Sequence, residues 1–266
     1  VADSYHHRIR AIDTDGTIST VAGTGYPGFN GDRLGTETML NMPKDMAMGP
    51  DGDLFIMDRD NLRVRKLRPD GRIEHVMGVG WCWPLVETIT TPAENVGLCH
   101  ATGIDVSSTG EMLITESGAL SLVYSIDTDG TAERIAGIGG PGMTADGVTA
   151  TDAALSYPTD ATWLDDGTIV ISEYNNAALR TVGSDGLLQT LTAIPYPYLI
   201  VRNGSYLYTS HHSRVGDIGV SSYQLPSGPV TTLAGDGAPV DHVFDGTYGL
   251  AMDATGGILV EGSHRI

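Results

Sequence analysis

The stretch that decides the fold runs Asp51-Gly52-Asp53-Leu54-Phe55-Ile56-Met57-Asp58-Arg59-Asp60-Asn61-Leu62-Arg63-Val64-Arg65-Lys66-Leu67-Arg68-Pro69-Asp70-Gly71-Arg72-Ile73-Glu74-His75-Val76-Met77-Gly78. Three short apolar-rich runs alternate with an Asp-Gly pair, a polar turn and a second Asp-Gly. Alternation over such lengths is the period of half-buried strands. Asp-Gly between them reads as a two-residue hairpin, whose central positions both need positive φ. Working outward, the pattern recurs. First-turn glycines stand at Gly52, Gly110, Gly167, Gly204 and Gly256, and second-turn glycines at Gly16, Gly71, Gly130, Gly186 and Gly228. The two turns of one unit keep a nearly constant spacing, while the connections between units vary. Each unit is therefore a meander of four short antiparallel strands.

Meanders repeating at roughly 40–60 residues are the signature of a β-propeller, in which each blade covers its neighbour's apolar face. No sustained helical period competes with this reading. Residues 1–266 are expected to form a single all-β domain with five countable blades. Val260–Ile266 reads as a second copy of Val1–Ile9, so either five blades close on themselves or the chain is an excerpt of a six-bladed propeller.

The 35 glycines and 13 prolines fit a chain of many tight turns, and 41% hydrophobic residues fit one that packs. Only Lys44 and Lys66 represent lysine, and the formal net charge is -18. Such a surface repels phosphate backbones and anionic lipid, so nucleic acid is not an expected partner. No apolar run approaches a membrane span, and Val1-Ala2-Asp3 does not begin like a signal peptide. A secreted, extracellular or periplasmic location, with any export signal already removed, is the expectation.

Val1-Ala2-Asp3-Ser4-Tyr5-His6-His7-Arg8-Ile9-Arg10-Ala11-Ile12-Asp13-Thr14-Asp15-Gly16-Thr17-Ile18-Ser19-Thr20-Val21-Ala22-Gly23 closely resembles the NHL repeat, and Met57-Asp58 with Asn61, Arg63-Val64-Arg65 and Asp70-Gly71 repeats its theme. Later units drift, with Thr115-Glu116 and Ser172-Glu173 in place of Ala-Asp. The resemblance spans the chain and implies a propeller. It implies less about function, because the family includes binding, adhesion and lyase members. Lyases with similar propellers use histidine and a divalent metal at the mouth of the channel, although no catalytic residue transfers individually.

The connections at 23–42, 78–100 and 137–157 are long and mark the face to search. Acids end the second strands at Asp3, Asp58, Glu116, Glu173 and Glu261, and Asp45 and Asp160 open first strands. Converging carboxylates suit Ca²⁺ or Mg²⁺; the alternative is that each acid caps its turn or pairs with an arginine. His6-His7 and His211-His212 share one turn in different units, and His100 precedes a first strand. Three imidazoles can hold Zn²⁺, or one can act as general base, with His100, His211 and Glu173 as the catalytic candidates; equally, they are the polar turn of the repeat. Cys82 and Cys99 bracket the longest connection, as a disulfide or as two thiols. Trp81, Trp83, Tyr26, Tyr196 and Tyr198 offer an aromatic platform for a ligand, or pack their own loops. Arg63 and Arg65 read as the solvated face of an outer strand, and Gly31-Asp32 and Asp146-Gly147 as simple loop turns. The expectation is a propeller that binds a protein or glycan, or another small molecule, through the long-loop face. The alternative is a divalent-metal-assisted lyase or hydrolase.

Overall fold

Every strand in the structure belongs to a small antiparallel sheet built as the repeat demands. The computed structural model describes residues 1–82, 90–212, 218–234, 249–252 and 257–261. The first blade pairs β1 (Ala2–Asp3), β2 (Arg8–Ile12) and β3 (Ile18–Ala22), and the second β4 (Pro43–Met48), β5 (Leu54–Asp58), β6 (Arg63–Leu67) and β7 (Ile73–Met77). The third holds β8 (Thr90–Pro92), β9 (Ala101–Val106), β10 (Met112–Glu116), β11 (Leu122–Ile126) and β12 (Thr131–Ala136) in the order β8-β12-β11-β10-β9. The fourth repeats that order with β13 (Val148–Thr149), β14 (Pro158–Trp163), β15 (Ile169–Glu173), β16 (Ala178–Val182) and β17 (Leu187–Ala193). The fifth is β18 (Pro197–Asn203), β19 (Tyr206–His212), β20 (Ile218–Gln224) and β21 (Val230–Ala234), followed by the pair β22 (Gly249–Met252) and β23 (Ile258–Glu261). The chain divides into two compact units, Val1–Ile135 and Ala136–Ile266.

The turns differ from the expected two-residue type. The Gly16 N–H donates to the Asp13 carbonyl at 2.8 Å while the Asp13 N–H donates to Thr17 at 2.9 Å, which leaves a three-residue loop with only Gly16 at positive φ. This is the type I turn followed by a left-handed residue. Gly52, Gly71, Gly110, Gly130 and Gly167 repeat both bonds, and Gly186 repeats the first. The aspartate of each pair acts through its side chain: Asp15, Asp70, Asp129, Asp166 and Asp185 accept the backbone N–H two residues on, at 2.9–3.0 Å. Gly228 departs from the set, since its φ is not left-handed and its N–H bonds to Gln224.

Connections do more than link blades. Each long one adds an outer strand to the blade it enters, β8 on β12 and β13 on β17, with a Leu34–Arg72 bridge doing the same beside β7. There the N–H groups of Gly35, Ala93 and Ala150 donate to the second-turn carbonyls of Gly71, Gly130 and Gly186 at 2.7–2.9 Å. Their own carbonyls accept the N–H groups of Gly23, Gly78 and Gly137, the glycines that follow β3, β7 and β12. Gly23 and Gly78 are required because a Cβ there would strike the carbonyl of His7 or Leu62, and both have φ above 90°. The stitched edge has little free backbone left to pair with another chain.

Within the first unit, β5 shows how the pleat divides the core. Ile56 packs with Ile9, Ala22, Leu40 and Ile73 on one side, while Phe55 and Met57 pack with Leu98, Ile104, Ile114 and Leu122 on the other. In the second unit, Val170 and Leu179 of the fourth blade pack with Ile200, Leu207 and Tyr223 of the fifth. Blade faces are thus apolar on both sides, as stacked meanders require.

Arg65 is not on a solvated face. It is fully buried, with Nη2 donating to the Asp32 carboxylate at 2.9 Å and to the Gly31 carbonyl at 3.0 Å, and Nη1 3.9 Å from Asp58. Arg180 occupies the matching position on β16 and bonds Glu173 and Asp146, each at 3.0 Å. Asp32 and Asp146 are therefore anchors for buried guanidinium groups. Arg63 and Arg8 grip the exits of the fourth strands instead, donating to the carbonyls of Gly78 and Val79 and of Thr24. Truncation by Arg65→Ala removes the positive charge beside the buried Asp58 carboxylate and is expected to cost about 3–5 kcal/mol in urea unfolding. The paired replacement Asp58→Asn with Arg65→Met should recover most of that loss; equal recovery by Arg65→Met alone would show that Arg65 stabilises by packing alone.

Candidate functional site

The acids that end the second strands serve a common local task. Asp58 Oδ1 accepts the Asn41 N–H at 2.7 Å and Oδ2 the Asn61 side-chain amide at 2.8 Å. Glu173 repeats this with the Ser156 N–H at 2.8 Å, Asn176 at 3.0 Å and Arg180. Glu116 takes the N–H groups of Cys99 and His100, at 2.9 and 3.0 Å. Each carboxylate thereby fixes the residues that lead into its blade's first strand. All three are fully buried. Burial pushes the Asp58 carboxyl up to about 6 against the pull of its hydrogen bonds and Arg65, and raises Glu173 in the same direction.

The third blade breaks the pattern. Tyr124, paired opposite Ile114, holds the place that Arg65 and Arg180 hold opposite Ile56 and Ile171. Among the described residues, Glu116 thus has two backbone donors and no guanidinium bond of the Arg180 kind. Burial drives its carboxyl up to about 7, opposed by the His100 and Cys99 N–H groups.

Asp45 and Asp160 likewise face backbone. Asp45 accepts the N–H groups of Met46 and, across to the next first strand, Ile104, at 2.8 and 2.9 Å. Asp160 accepts those of Ala161 and Ile200, at 2.9 and 2.7 Å. Both carboxylates bolt neighbouring first strands together.

The histidines are dispersed among separate partners. His6 Nδ1 lies 2.7 Å from Asp3 Oδ1 on an exposed turn, His7 Nδ1 accepts the Met42 N–H at 3.1 Å, and His100 Nδ1 lies 3.0 Å from its neighbour's carbonyl. His211 Nε2 lies 2.9 Å from the Ser221 hydroxyl. The side chains of His212 and Glu261 lie outside the described residues. Among the described residues, no group of three or more His, Cys, Asp or Glu side chains converges as a metal site would require. His100, His211 and Glu173 each have their own partners, the Cys99 carbonyl, the Ser221 hydroxyl and Arg180.

The aromatic candidates are accessible. Gly23-Thr24-Gly25-Tyr26 and Gly78-Val79-Gly80-Trp81 follow β3 and β7 in the same way, and they leave Tyr26 71% and Trp81 63% exposed. The guanidinium groups of Arg8 and Arg63 fill the space beside Gly25 and Gly80, so each aromatic stands on a braced loop. Trp83 lies outside the described residues. Cys82 and Cys99 form a disulfide with Cα atoms 4.5 Å apart, closing the second connection. In the second unit, Tyr196 and Tyr198 pack against Tyr174, with ring centroids 5.3 and 6.4 Å away. Tyr174 joins Tyr157 through a backbone hydrogen bond of 3.1 Å. The sequence reading missed Tyr157 and Tyr174. Their available signal was position: Tyr157-Pro158 matches Tyr196-Pro197 at the entry to a first strand.

No family model matches the chain. Teneurin-3 of Mus musculus is 24% identical over 255 residues, covering 86% of this chain and 8% of the relative. Teneurin-3 of Danio rerio is 33% identical over 75 residues, covering 23% of this chain and 3% of the relative. The chain thus spans less than a tenth of the length of these relatives. Three solved structures share the fold: the nidogen/laminin complex (14% identity, TM-score 0.57, 82% of this chain and 68% of that one), virginiamycin B lyase from Staphylococcus aureus (16%, 0.55, 94% and 69%), and a gluconolactonase from Xanthomonas campestris (16%, 0.57, 82% and 69%). The fold is an all-β propeller of four-stranded antiparallel blades.

The buried acids make stability depend on pH with a definite sign. A carboxyl raised in the folded state stabilises fully below its unfolded value and loses that contribution as pH rises through the folded one. For Glu116 the window runs from the ordinary glutamate value of 4.5 to about 7, worth on the order of 3 kcal/mol. Thermal unfolding should show stability falling across this window, less steeply in Glu116→Gln; an unchanged slope would remove Glu116 as its source. The disulfide spans 17 residues, and its loss in the paired change Cys82→Ser with Cys99→Ser should cost roughly 3 kcal/mol in denaturant unfolding under non-reducing conditions.

Proposed function

We propose that residues 1–266 form one NHL-type propeller domain, secreted or displayed outside the cell, that binds a protein or glycan through the face carrying its long connections. The observation that carries this reading is the contrast between two residue classes. The described second-strand carboxylates are bonded within their blades, whereas the side chains presented on successive connections are the aromatics Tyr26 and Trp81. Exposed aromatics on rigid supports are the groups that anchor partner surfaces, because they bury large area at small entropic cost. The Cys82–Cys99 disulfide supports an oxidising compartment. Likeness to Teneurin-3 and to the propeller seen in a nidogen/laminin complex is consistent with a binding role.

The test is a screen of the purified chain on arrays of extracellular proteins and of glycans, run in parallel with the double change Tyr26→Ala and Trp81→Ala. Hits should weaken at least tenfold in the variant, whose thermal midpoint should stay within a few degrees of the parent. Hits held at full strength would move the binding face elsewhere, and the absence of hits on both arrays would sink the reading.

A further inference from the structure

The second unit carries a tyrosine cluster that its fold positions with care. Tyr157 and Tyr196 each precede the proline that opens a first strand, and both are held in the left-handed region, at φ 54° and 45°. Bulky residues rarely adopt it, at a cost of roughly 1–2 kcal/mol. Met42 before Pro43 has the same backbone, at φ 50°, so the conformation belongs to the blade and the choice of side chain does not. The Thr159 hydroxyl donates to the carbonyls of Pro197 and Tyr198, at 3.1 and 2.7 Å, and so locks the two strand entries together. Tyr174 stands between them, packed on Tyr196 and Tyr198 and bonded through its backbone to Tyr157. Tyr157 remains 41% exposed.

The unit that carries this cluster is strongly acidic in sequence. Residues 136–266 contain thirteen acids, no lysine and four arginines. The two described arginines are committed to acids: Arg180 to Glu173 and Asp146, and Arg202 to Asp165. A negative field adds to the negative faces of phenol rings in drawing a cation. The first unit shows the chain using this contact, with the Arg63 and Arg65 guanidinium carbons 4.2 and 5.0 Å from the Phe29 ring centroid.

We propose that the Tyr157, Tyr174, Tyr196 and Tyr198 cluster receives a cationic side chain, arginine or lysine, from a basic segment of a protein partner. This rests on the binding reading above and narrows its partner to a basic protein, against a neutral glycan. Attraction to the acidic unit speeds encounter and is screened by salt, while ring contact supplies the selectivity.

The probes are a twelve-residue peptide alternating arginine with serine, its counterpart with citrulline at every arginine, and a neutral cello-oligosaccharide, all titrated calorimetrically into the intact chain. The arginine peptide should bind at least tenfold more tightly than the citrulline one, and more weakly as salt rises. Tyr157→Ala and Tyr196→Ala should each lower its affinity about two- to fivefold, while Tyr157→Phe, which keeps the ring, should retain it. Tyr5→Ala, on an exposed turn of the first unit, should change nothing. Equal binding of both peptides, insensitivity to the two alanine changes, or preference for the oligosaccharide would overturn the proposal. Array partners that depend on Tyr26 and Trp81 but not on Tyr157 or Tyr196 would overturn it too, and would leave the broader binding reading standing.

Discussion

The second, third and fourth blades depend on a buried carboxylate at the end of the second strand. An ionised or even a neutral carboxyl is costly to take out of water unless its oxygens find donors. In this chain the donors are backbone N–H groups of the segment about to become the first strand of the same blade: Asn41 for Asp58, Cys99 and His100 for Glu116, Ser156 for Glu173. The cost of burial therefore enforces geometry. A connection of any length must bring its last residues to one spot, and the first strand then starts in register. That is how connections that vary in length and sequence deliver nearly identical blades.

The same constraint selects the residues around it. Asn61 and Asn176, three positions past Asp58 and Glu173, reach back to them. Arg65 and Arg180 arrive from the third strand and carry a second acid, Asp32 or Asp146, inward from the connection. The third blade shows what happens when a member is exchanged: with Tyr124 in the arginine position, Glu116 is left with two backbone donors, and burial raises its carboxyl to about 7. Acidity also has a local origin at the hairpins. Asp15, Asp70, Asp129, Asp166 and Asp185 all hold the turn through a side-chain bond, so part of the large negative charge follows from repeating one turn chemistry.

The strands were legible in the sequence because alternation and positive-φ glycines are local properties, and Leu54–Asp58 or Ile169–Glu173 need no distant partner to be recognised. The turn type was not, because Asp-Gly serves a three-residue loop as well as a two-residue one; the deciding Asp13–Thr17 hydrogen bond is a matter of register. Arg65 looked solvated because alternation places it on the polar face of its strand, and that face is buried only by residues 33 positions earlier. Its equivalence with Arg180, both thirteen residues past a first-turn glycine, was the available clue. The aromatic and histidine candidates were visible by type, but only the fold separates exposed Tyr26 and Trp81 from His7, whose ring nitrogen accepts the Met42 N–H.

A repeat protein faces a division of labour that this chain makes explicit. Positions whose side chains secure the blade, such as Asp58 and Glu173, must keep acceptors for the backbone donors that meet them. Positions whose backbone secures it can vary freely in side chain, since the hydrogen bonds and dihedrals are met whatever the residue carries. The entry to the first strand in three blades is of the second kind, and there the chain places Met42, Tyr157 and Tyr196, each at a left-handed φ. The residue after each fourth-strand exit loop is another, with Tyr26 and Trp81 in successive blades and Gly140 in the third. Chemistry specific to this protein belongs at such places, where the repeat fixes the backbone and leaves the side chain to function.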